Sequence, residues 1–297
     1  NVYNYNPGGQ PADGAQEAEK YMLRLDWDVN DQHRASLIYN YFDGFQLRDS
    51  DGDDDEFEFA NHFYTKGAES ETITLKLTSQ WTDALSTEVF YSSSEMNDSQ
   101  VTVGNPEFAD MQISVGGRDG VVYLGADDSR QSNKLDTQSD YFKLSANYFI
   151  GNHIITAGYD REDLEIFNLF VQHSETEIRF DGIDNFRNGF ASDLYYNNAP
   201  SQQPIDAAAN WGYEVTTLFA QDTIEFGDRW TFVAGLRYDA YTTGDRPAEN
   251  ADFVNDYGFS NAQTLDGKSL LQPRVGFTFD WTDQTTVRGG LGLYSGG

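Results

Sequence analysis

Apolar and polar residues alternate along several stretches of the chain. In residues 230–239, WTFVAGLRYD, Trp230 and Leu236 share one parity, while Arg237 and Asp239 share the other. Successive side chains of a β-strand point to opposite faces, so this pattern predicts a strand with one apolar and one largely polar face. The pattern alone does not say whether the apolar face meets a protein core or a lipid bilayer.

Ten strands of this kind form five pairs, and each pair is joined by a short turn rich in Asn, Asp, Gly or Thr. The predicted turns lie at 30–32, 82–85, 150–152, 227–229 and 282–284. The segments between the pairs are long and polar, and they lie near 43–71, 94–139, 163–212 and 240–268. Connections in compact domains usually have ~4–6 residues. Short turns that alternate with long loops are typical of outer-membrane barrels, whose long loops lie outside the cell.

The length of the strands also favours a bilayer. About ten residues at ~3.3 Å each, tilted by ~40°, span about 25 Å, which matches the apolar band of such barrels. Strands of a soluble sandwich usually have ~5–6 residues. We therefore predict an all-β fold, an antiparallel up-and-down transmembrane β-barrel, of which the chain supplies about ten strands.

Large aromatic residues recur beside the short turns. They are Trp27, Trp81, Phe149, Phe226, Trp230 and Trp281. An aromatic belt at the membrane interface requires this recurrence, although the aromatic residues of an ordinary core would also produce it. The belt predicts that the short turns lie together at one membrane surface.

Composition narrows the function further. The mean hydropathy is −0.62, and no apolar run approaches the ~18 residues of a membrane helix. The net charge is −30, from 49 acidic residues against 19 Lys and Arg, which argues against a nucleic-acid partner because phosphates need a basic surface. Cysteine is absent, and the four histidines are scattered without catalytic spacing. We therefore expect a protein that is not an enzyme.

Four segments resemble the β-barrel of TonB-dependent outer-membrane receptors, especially the Oar-like group. They are YMLRLDWDVNDQHRASLIYNY (21–41), ITAGYDREDLEIFNLFVQH (155–173), FAQDTIEFGDRWTFVAGLRYD (219–239) and LLQPRVGFTFDWTDQTTVRGGLGLY (270–294). The resemblance implies a barrel of about 22 strands, closed by a plug domain and driven by the TonB complex of the inner membrane. It also implies import of a scarce solute, and contact with lipid and lipopolysaccharide in the outer membrane of a Gram-negative bacterium.

The chain departs from this family pattern at both ends. No plug-like region or TonB box precedes Tyr21, and GLYSGG follows the tenth strand without a terminal aromatic strand. We expect residues 1–20 to form a loop leading into the barrel and residues 21–297 to form a middle part of it, because ten strands alone would leave two open edges in lipid. A passive porin, or a soluble β-sandwich that binds carbohydrate, remains as an alternative.

An acidic loop offers a candidate metal site. In RDSDGDDDE (48–56), Asp49, Asp51, Asp53 and Asp55 stand at alternate positions, and carboxylates spaced in this way can surround one Ca²⁺. The match to a calcium loop is partial. The alternatives are a solvated acidic loop and one bridged to lipopolysaccharide by divalent ions.

Polar residues of the last strands offer a candidate site inside the barrel. Arg237, Arg274 and Arg288 lie on the polar parity of three successive strands, with Asp239 and Asp280 available as partners. Arginines inside a barrel usually pair with acids. These arginines therefore either form structural ion pairs or contact the plug or an anionic solute.

Aromatic residues are frequent in the predicted loop 163–212, among them Phe186, Tyr195 and Tyr196. Such residues either contact a ligand by stacking on sugars or apolar groups, or pack on one another within the loop. The sequence leaves both interpretations open.

Overall fold

Long antiparallel strands dominate the computed structural model, which describes residues 5–9, 14–116 and 120–295. The strands are β1 (Gln16–Asn30), β2 (His33–Arg48), β3 (Glu56–Glu58), β4 (Tyr64–Thr82), β5 (Leu85–Thr102), β6 (Asp110–Val115), β7 (Gly120–Leu124), β8 (Asn133–Ile150), β9 (His153–Phe170), β10 (Glu177–Phe180), β11 (Asp193–Tyr195), β12 (Ala209–Phe226), β13 (Trp230–Thr242), β14 (Ser269–Thr282) and β15 (Thr285–Gly292). The helices are α1 (Ile183–Asn188), α2 (Ala251–Tyr257) and the 3₁₀ turn Pro204–Ala207. None of the helices in the described ranges is long and apolar enough to cross a bilayer.

Ten strands form one antiparallel sheet in sequential order, and we call it the wall. Its order is β1-β2-β4-β5-β8-β9-β12-β13-β14-β15. The five short turns join strands within the predicted pairs, so all of them lie at one rim, and the long loops lie at the other. The predicted up-and-down fold is confirmed. Over the described residues the sheet is open, with β1 and β15 at its edges.

The strands of the wall extend beyond their predicted outer ends. β4 begins at Tyr64 instead of Thr72, and β1 begins at Gln16, so residues 16–20 are strand and not a leading loop. The outer parts of these strands carry polar residues on both faces, which removes the alternation by which sequence detects a strand. Backbone pairing nevertheless continues, as between Arg48 and Tyr64. The loops are accordingly shorter than predicted and span 49–63, 103–132, 171–208 and 243–268.

The two faces of the wall differ as the alternation predicts. On the apolar parity, Leu25, Leu75 and Leu236 are 54%, 47% and 46% exposed, whereas Thr217 and Asp239 on the polar parity are each 1% exposed. Apolar side chains left uncovered over a whole sheet face require an apolar environment outside the protein. The apolar face is therefore the lipid face, and the polar face lines the interior.

Aromatic residues project from the lipid face beside the short turns. Trp27, Trp81 and Trp281 are all more than half exposed. Trp230 instead stacks on Phe279 of the neighbouring strand, with ring centroids 4.1 Å apart. The rim of short turns thus carries the predicted aromatic belt.

Asp222 interrupts the apolar parity of β12 and has a partner that the sequence did not indicate. Its Oδ2 lies 2.8 Å from Nδ1 of His153, at the start of β9 and near the same rim. Because β9 and β12 are paired with Ile224 opposite His153, the two side chains lie diagonally across the strands. A polar pair at this level lies in the interfacial zone and not at the centre of the bilayer.

A second, smaller sheet is built from the outer loops, and we call it the loop sheet. Its order is β11-β10-β6-β7-β3. The pairs β3–β7 and β6–β10 are parallel, and each joins segments from different loops. Ile113, Leu124 and Phe180 form its small buried core. Three loops of the outer rim are therefore held together as one packed unit.

Candidate functional site

The inner face of the wall contains a network of polar side chains around Arg237. The Arg237 Nε donates to Asp239 Oδ1 at 2.8 Å, and a terminal nitrogen donates to Thr217 Oγ1 at 3.0 Å. Another terminal nitrogen lies 3.4 Å from Asp160 Oδ2 on β9. Asp239 also accepts from Thr217 Oγ1 at 2.7 Å and from Gln272 Nε2 at 2.5 Å. The network thus connects four adjacent strands, and we call it the wall network.

The other predicted interior residues are not part of the wall network. Arg274 donates to Gln221 Oε1 at 2.9 Å, and Asp280 accepts from Thr286 Oγ1 at 2.7 Å. Neither Arg274 nor Arg288 lies within an ion pair in the part of the chain that the structure describes. Of the predicted Arg–Asp pairs, the structure therefore forms the one between Arg237 and Asp239.

An open groove lies at the outer rim, between the first residues of β12 and the loop 243–268. It has a volume of about 580 Å³. Trp211 and Tyr213, which lie on the same parity as Thr217, line it together with Arg246 and Leu265. Aromatic, aliphatic and cationic side chains thus meet at the outer rim of the wall.

A first cluster of acids surrounds His62 under the loop sheet. His62 is fully buried, with Nε2 3.0 Å from Asp51 Oδ2 and Nδ1 3.3 Å from the carbonyl oxygen of Gly125. Asp110 Oδ1 lies 3.6 Å from Nδ1, and Asp127 Oδ2 lies 4.0 Å from Nε2. Both ring nitrogens of His62 are thus occupied by acceptors.

The acids around His62 favour its charged form. Burial lowers the pKa of His62, but the hydrogen bond to Asp51 and the charges of Asp110, Asp127 and Glu58 outweigh burial and raise the pKa to about 9. Burial raises the pKa of Asp110 to about 7, against the opposing charge of His62. At neutral pH a protonated His62 therefore neutralises part of this cluster.

Glu58 is held by backbone amides. Its carboxylate accepts from the N–H groups of Ser50, Asp51 and Gly52, which form the turn before β3. Its side chain is buried at 4% exposure. The turn therefore presents its amides to an acid of its own loop.

A second cluster lies beside the first and consists of Asp128, His173 and Glu177. His173 Nδ1 lies 2.9 Å from Asp128 Oδ2 and 3.0 Å from Glu177 Oε2. Asp127 and Asp128 are consecutive, so one faces His62 and the other faces His173. Arg179 contacts the other oxygen of Glu177 and lies over the ring of Tyr195.

The four aspartates of the predicted calcium loop do not come together as one set. Asp51 reaches His62, while Asp49 is exposed. Asp53 accepts from the backbone N–H groups of Asp55 and Glu56, which is a local turn. The donor group that the structure forms here is Asp51, Glu58 and His62.

The predicted loop aromatics have different positions. Phe186 packs edge-on against Phe180, 5.2 Å between centroids, beside the loop-sheet core. Tyr195 and Tyr196 are 40% and 45% exposed. The Tyr196 hydroxyl donates to Gln202. Phe186 therefore packs within the loop, whereas Tyr195 and Tyr196 lie at the surface.

The fold and its polar interior agree with comparison to known proteins. Residues 2–297 match the family model described as outer membrane beta barrel domain. The chain belongs to this family of outer-membrane β-barrels. Its location is therefore the outer membrane, as the sequence predicts. Among curated proteins, none matches the chain in sequence.

Solved outer-membrane barrels share the fold of this family member. The transporter YddB from Escherichia coli aligns with a TM-score of 0.59 at 12% identity, over 96% of this chain and 32% of YddB. The ferric-catecholate import receptor Fiu from E. coli K12 aligns with a TM-score of 0.60 at 12% identity, over 96% of this chain and 44% of Fiu. FpvA from P. aeruginosa, solved with a heterologous pyoverdine, aligns with a TM-score of 0.57 at 14% identity, over 93% of this chain and 35% of FpvA. The chain spans less than half the length of these proteins.

Several polar residues of this outer-membrane barrel escaped the sequence prediction. They are Glu58, His62, Asp110, Asp127, Asp128, Asp160, His173, Glu177, Thr217 and Gln272. For Thr217 a signal existed, because the hairpin turn at 227–229 fixes its position opposite Asp239. For the loop sheet, short apolar runs such as VVYL (121–124) inside the predicted loops were the available signal.

Proposed function

We propose that the chain is a middle part of a TonB-dependent receptor barrel of the Oar-like group, which imports a scarce solute. The observation that carries this proposal is the inner face of the wall. It combines a cross-strand ion network with Arg274 and Arg288, which have no acidic partner within 4 Å among the described residues. A guanidinium group that lacks an acid on its own wall suits a carboxylate or phosphate on another body.

Two other bodies fit this role. A plug domain inside the barrel would bring acids to Arg274 and Arg288, and an anionic solute would do so during passage. The groove lined by Trp211, Tyr213, Arg246 and Leu265 places aromatic and cationic groups at the entrance. YddB and Fiu, which share the fold, are an outer membrane transporter and an import receptor, and this supports the same class of function. The role is binding and gated passage without chemistry.

Dependence on TonB separates this function from the alternative, a passive porin. The test measures accumulation of a ferric catecholate, a copper salt, an oligosaccharide and a peptide in cells with and without the gene, each with and without TonB. We expect one of these solutes to accumulate only when both the receptor gene and TonB are present, and accumulation to cease with a protonophore. Accumulation that needs the gene but persists without TonB would identify a porin.

A further inference from the structure

The second cluster of the loop sheet brings three metal-binding side chains to one point. Asp128 lies in the loop 103–132, while His173 and Glu177 lie in the loop 171–208. One donor atom from each of the three lies within 4.8 Å of the others. Asp128 and Glu177 are 6% and 1% exposed, and the His173 side chain is 15% exposed.

The contacts in this cluster are close but are not hydrogen bonds. Asp128 Oδ2 and His173 Nδ1 are 2.9 Å apart, yet both atoms are buried without a hydrogen-bond partner. Buried polar atoms are almost always satisfied, so an orphaned pair aimed at a common point needs a further partner. Ligands bound at ~2.1 Å to a tetrahedral ion lie roughly 3.4 Å apart, so the two contacts of His173, at 2.9 and 3.0 Å, need to open only slightly to admit such an ion.

The neighbouring His62 cluster provides a contrast. His62 has a hydrogen-bond acceptor at each ring nitrogen, Asp51 at 3.0 Å and the Gly125 carbonyl at 3.3 Å. A metal there would have to displace one of these bonds. His173 Nδ1 makes no hydrogen bond, so its lone pair is available to a cation.

The backbone around His173 fixes the donor in place. His173 has a φ of 60° and Thr176 a φ of 82°, both in the left-handed region that non-glycine residues rarely adopt. The His173 N–H donates to the Asp128 carbonyl at 3.2 Å, and its carbonyl accepts from Thr176 N–H at 3.0 Å. This tight turn brings His173 and Glu177 to the same side of Asp128.

We propose that Asp128, His173 and Glu177 bind one divalent transition-metal ion of the zinc class, which ties two outer loops together. Two carboxylates neutralise the charge of the ion, and an imidazole nitrogen favours a transition metal over Ca²⁺ or Mg²⁺, which prefer oxygen ligands. Arg179 contacts the second oxygen of Glu177 and fixes the orientation of that carboxylate. A fourth position is left for water.

Equilibrium metal binding tests this proposal without any uptake assay, so its outcome is independent of the transport function. The full-length protein is purified in detergent, stripped with a chelator, and titrated with Zn²⁺ or with Co²⁺, whose visible absorption reports the coordination geometry of the bound ion. We expect one tightly bound Zn²⁺ per chain that millimolar Ca²⁺ does not displace. His173→Gln and Asp128→Asn should each weaken binding by at least about 100-fold, since loss of even an outer-shell partner costs 10–100-fold.

Two matched histidine variants locate the site. His153→Gln changes a histidine paired with a single carboxylate at the opposite rim, and His62→Gln changes the neighbouring cluster. Both should retain the bound Zn²⁺. A wild-type protein that binds no stoichiometric Zn²⁺ or Co²⁺ would overturn the proposal, as would unchanged affinity in His173→Gln or loss of the ion in His62→Gln alone.

A measurement on the wild-type protein alone covers the case in which a variant fails to fold. Zn²⁺ should protect the loop 171–208 of the stripped protein from protease, and a chelator should reverse the protection. Equal cleavage with and without Zn²⁺ would contradict a metal that ties the loops together.

Discussion

The wall and the loop sheet both bury carboxylates, but they satisfy them differently. In the wall, Arg237 meets Asp239 of its own strand and Asp160 of β9, two strands away. Asp160, Thr217 and Asp239 lie opposite one another in regular register across β9, β12 and β13. In the loop sheet, buried acids face two histidines, His62 and His173. An arginine is charged at all relevant pH values, whereas a histidine carries charge only when protonated or offers a lone pair to a metal. The cation of the wall network is thus permanent, whereas the loop sheet depends in part on conditional charges beside an arginine–glutamate pair, Arg179 and Glu177.

This difference follows from how each region is built. A carboxylate buried without a partner is costly, so each region must supply a cation or a proton. The wall supplies it from the interior parity of neighbouring strands. The loop sheet collects its acids from three loops. Backbone amides hold Glu58 and Arg179 contacts Glu177, while the remaining charge is balanced by a protonated His62 and by the proposed metal at His173.

The largest expected effect of a single substitution is at Asp239 in the wall. Asp239→Asn removes the negative charge that pairs with Arg237. It also replaces one carboxylate oxygen by an NH₂ group, so that a donor faces either Arg237 Nε or Gln272 Nε2, which are donors themselves. Removing one partner of a buried pair costs about 3–5 kcal/mol. Because the Arg237 side chain is 39% exposed and keeps Asp160, we expect a loss at the lower end of this range in the free energy of unfolding. Urea titration of the full-length protein folded in lipid vesicles measures it.

A matched exposed pair serves as the control. Arg161 and Asp163 are also two residues apart on one strand, and Arg161 Nε lies 3.0 Å from Asp163 Oδ2. The Asp163 side chain is 43% exposed, whereas that of Asp239 is 2% exposed. Asp163→Asn should cost no more than about 1 kcal/mol, as exposed pairs do. Equal losses for Asp163→Asn and Asp239→Asn would show that burial of the wall network has no special role.

The next effect concerns the lipid face. Leu75 is 47% exposed, and Leu75→Arg should cost about 2–4 kcal/mol if the position is near the middle of the bilayer. Thr74 points to the interior, where its hydroxyl bonds Ser92 at 3.1 Å. Thr74→Arg should cost less, because interior water solvates the charge. The same vesicle titration compares the two, and equal penalties would indicate a dry protein core on both faces.

A smaller, pH-dependent effect is expected at His62. The pKa of His62 in the folded protein is raised to about 9, above its unfolded value of ~6.5. Protonation therefore stabilises the loop sheet fully below pH 6.5, and this contribution declines as the pH rises through about 9. His62→Gln should destabilise the loop sheet by about 2 kcal/mol at pH 6, as expected for a charge-assisted hydrogen bond.

Hydrogen exchange of loop-sheet amides, with metal chelated, measures this effect. Wild type and His62→Gln should differ at pH 6 and converge above about pH 9.5. A difference that stays constant with pH would mean that the shape of His62 matters, and not its charge.

Sequence alone predicted the wall because the wall is local. Each hairpin has a short turn, and the alternation around residues such as Leu75 and Leu236 defines both faces. Even the contact between Thr217 and Asp239 follows from the turn at 227–229. Asp160 and Gln272 could not be placed in this way, because long loops separate their strands from β12 and β13 and leave the register open.

Sequence did not predict the loop sheet because its pairings are distant and short. β3 has three residues and pairs in parallel with β7, so that Glu56 lies opposite Val121, and β6 pairs with β10 over a similar separation, with Asp110 opposite Glu177. Acids such as Asp110 and Asp128 are typical of solvated loops in sequence. They are buried only because three loops pack on one another. The acids that meet His62 and His173 are therefore distant in sequence, and the two histidines show no catalytic or metal-binding spacing in the sequence.

The smallest expected change in stability is at Arg274, where it separates structure from function. Arg274 has a hydrogen bond to Gln221 at 2.9 Å and no ion pair within the described residues. Arg274→Gln should therefore change the free energy of unfolding by less than about 1.5 kcal/mol, the upper value for a single neutral hydrogen bond. Gln221→Ala, which removes the partner, provides the control for that bond.

If Arg274 faces the plug or an anionic solute, Arg274→Gln lowers uptake while Gln221→Ala leaves it nearly unchanged. Wild-type uptake in Arg274→Gln would give Arg274 a structural role like that of Arg237.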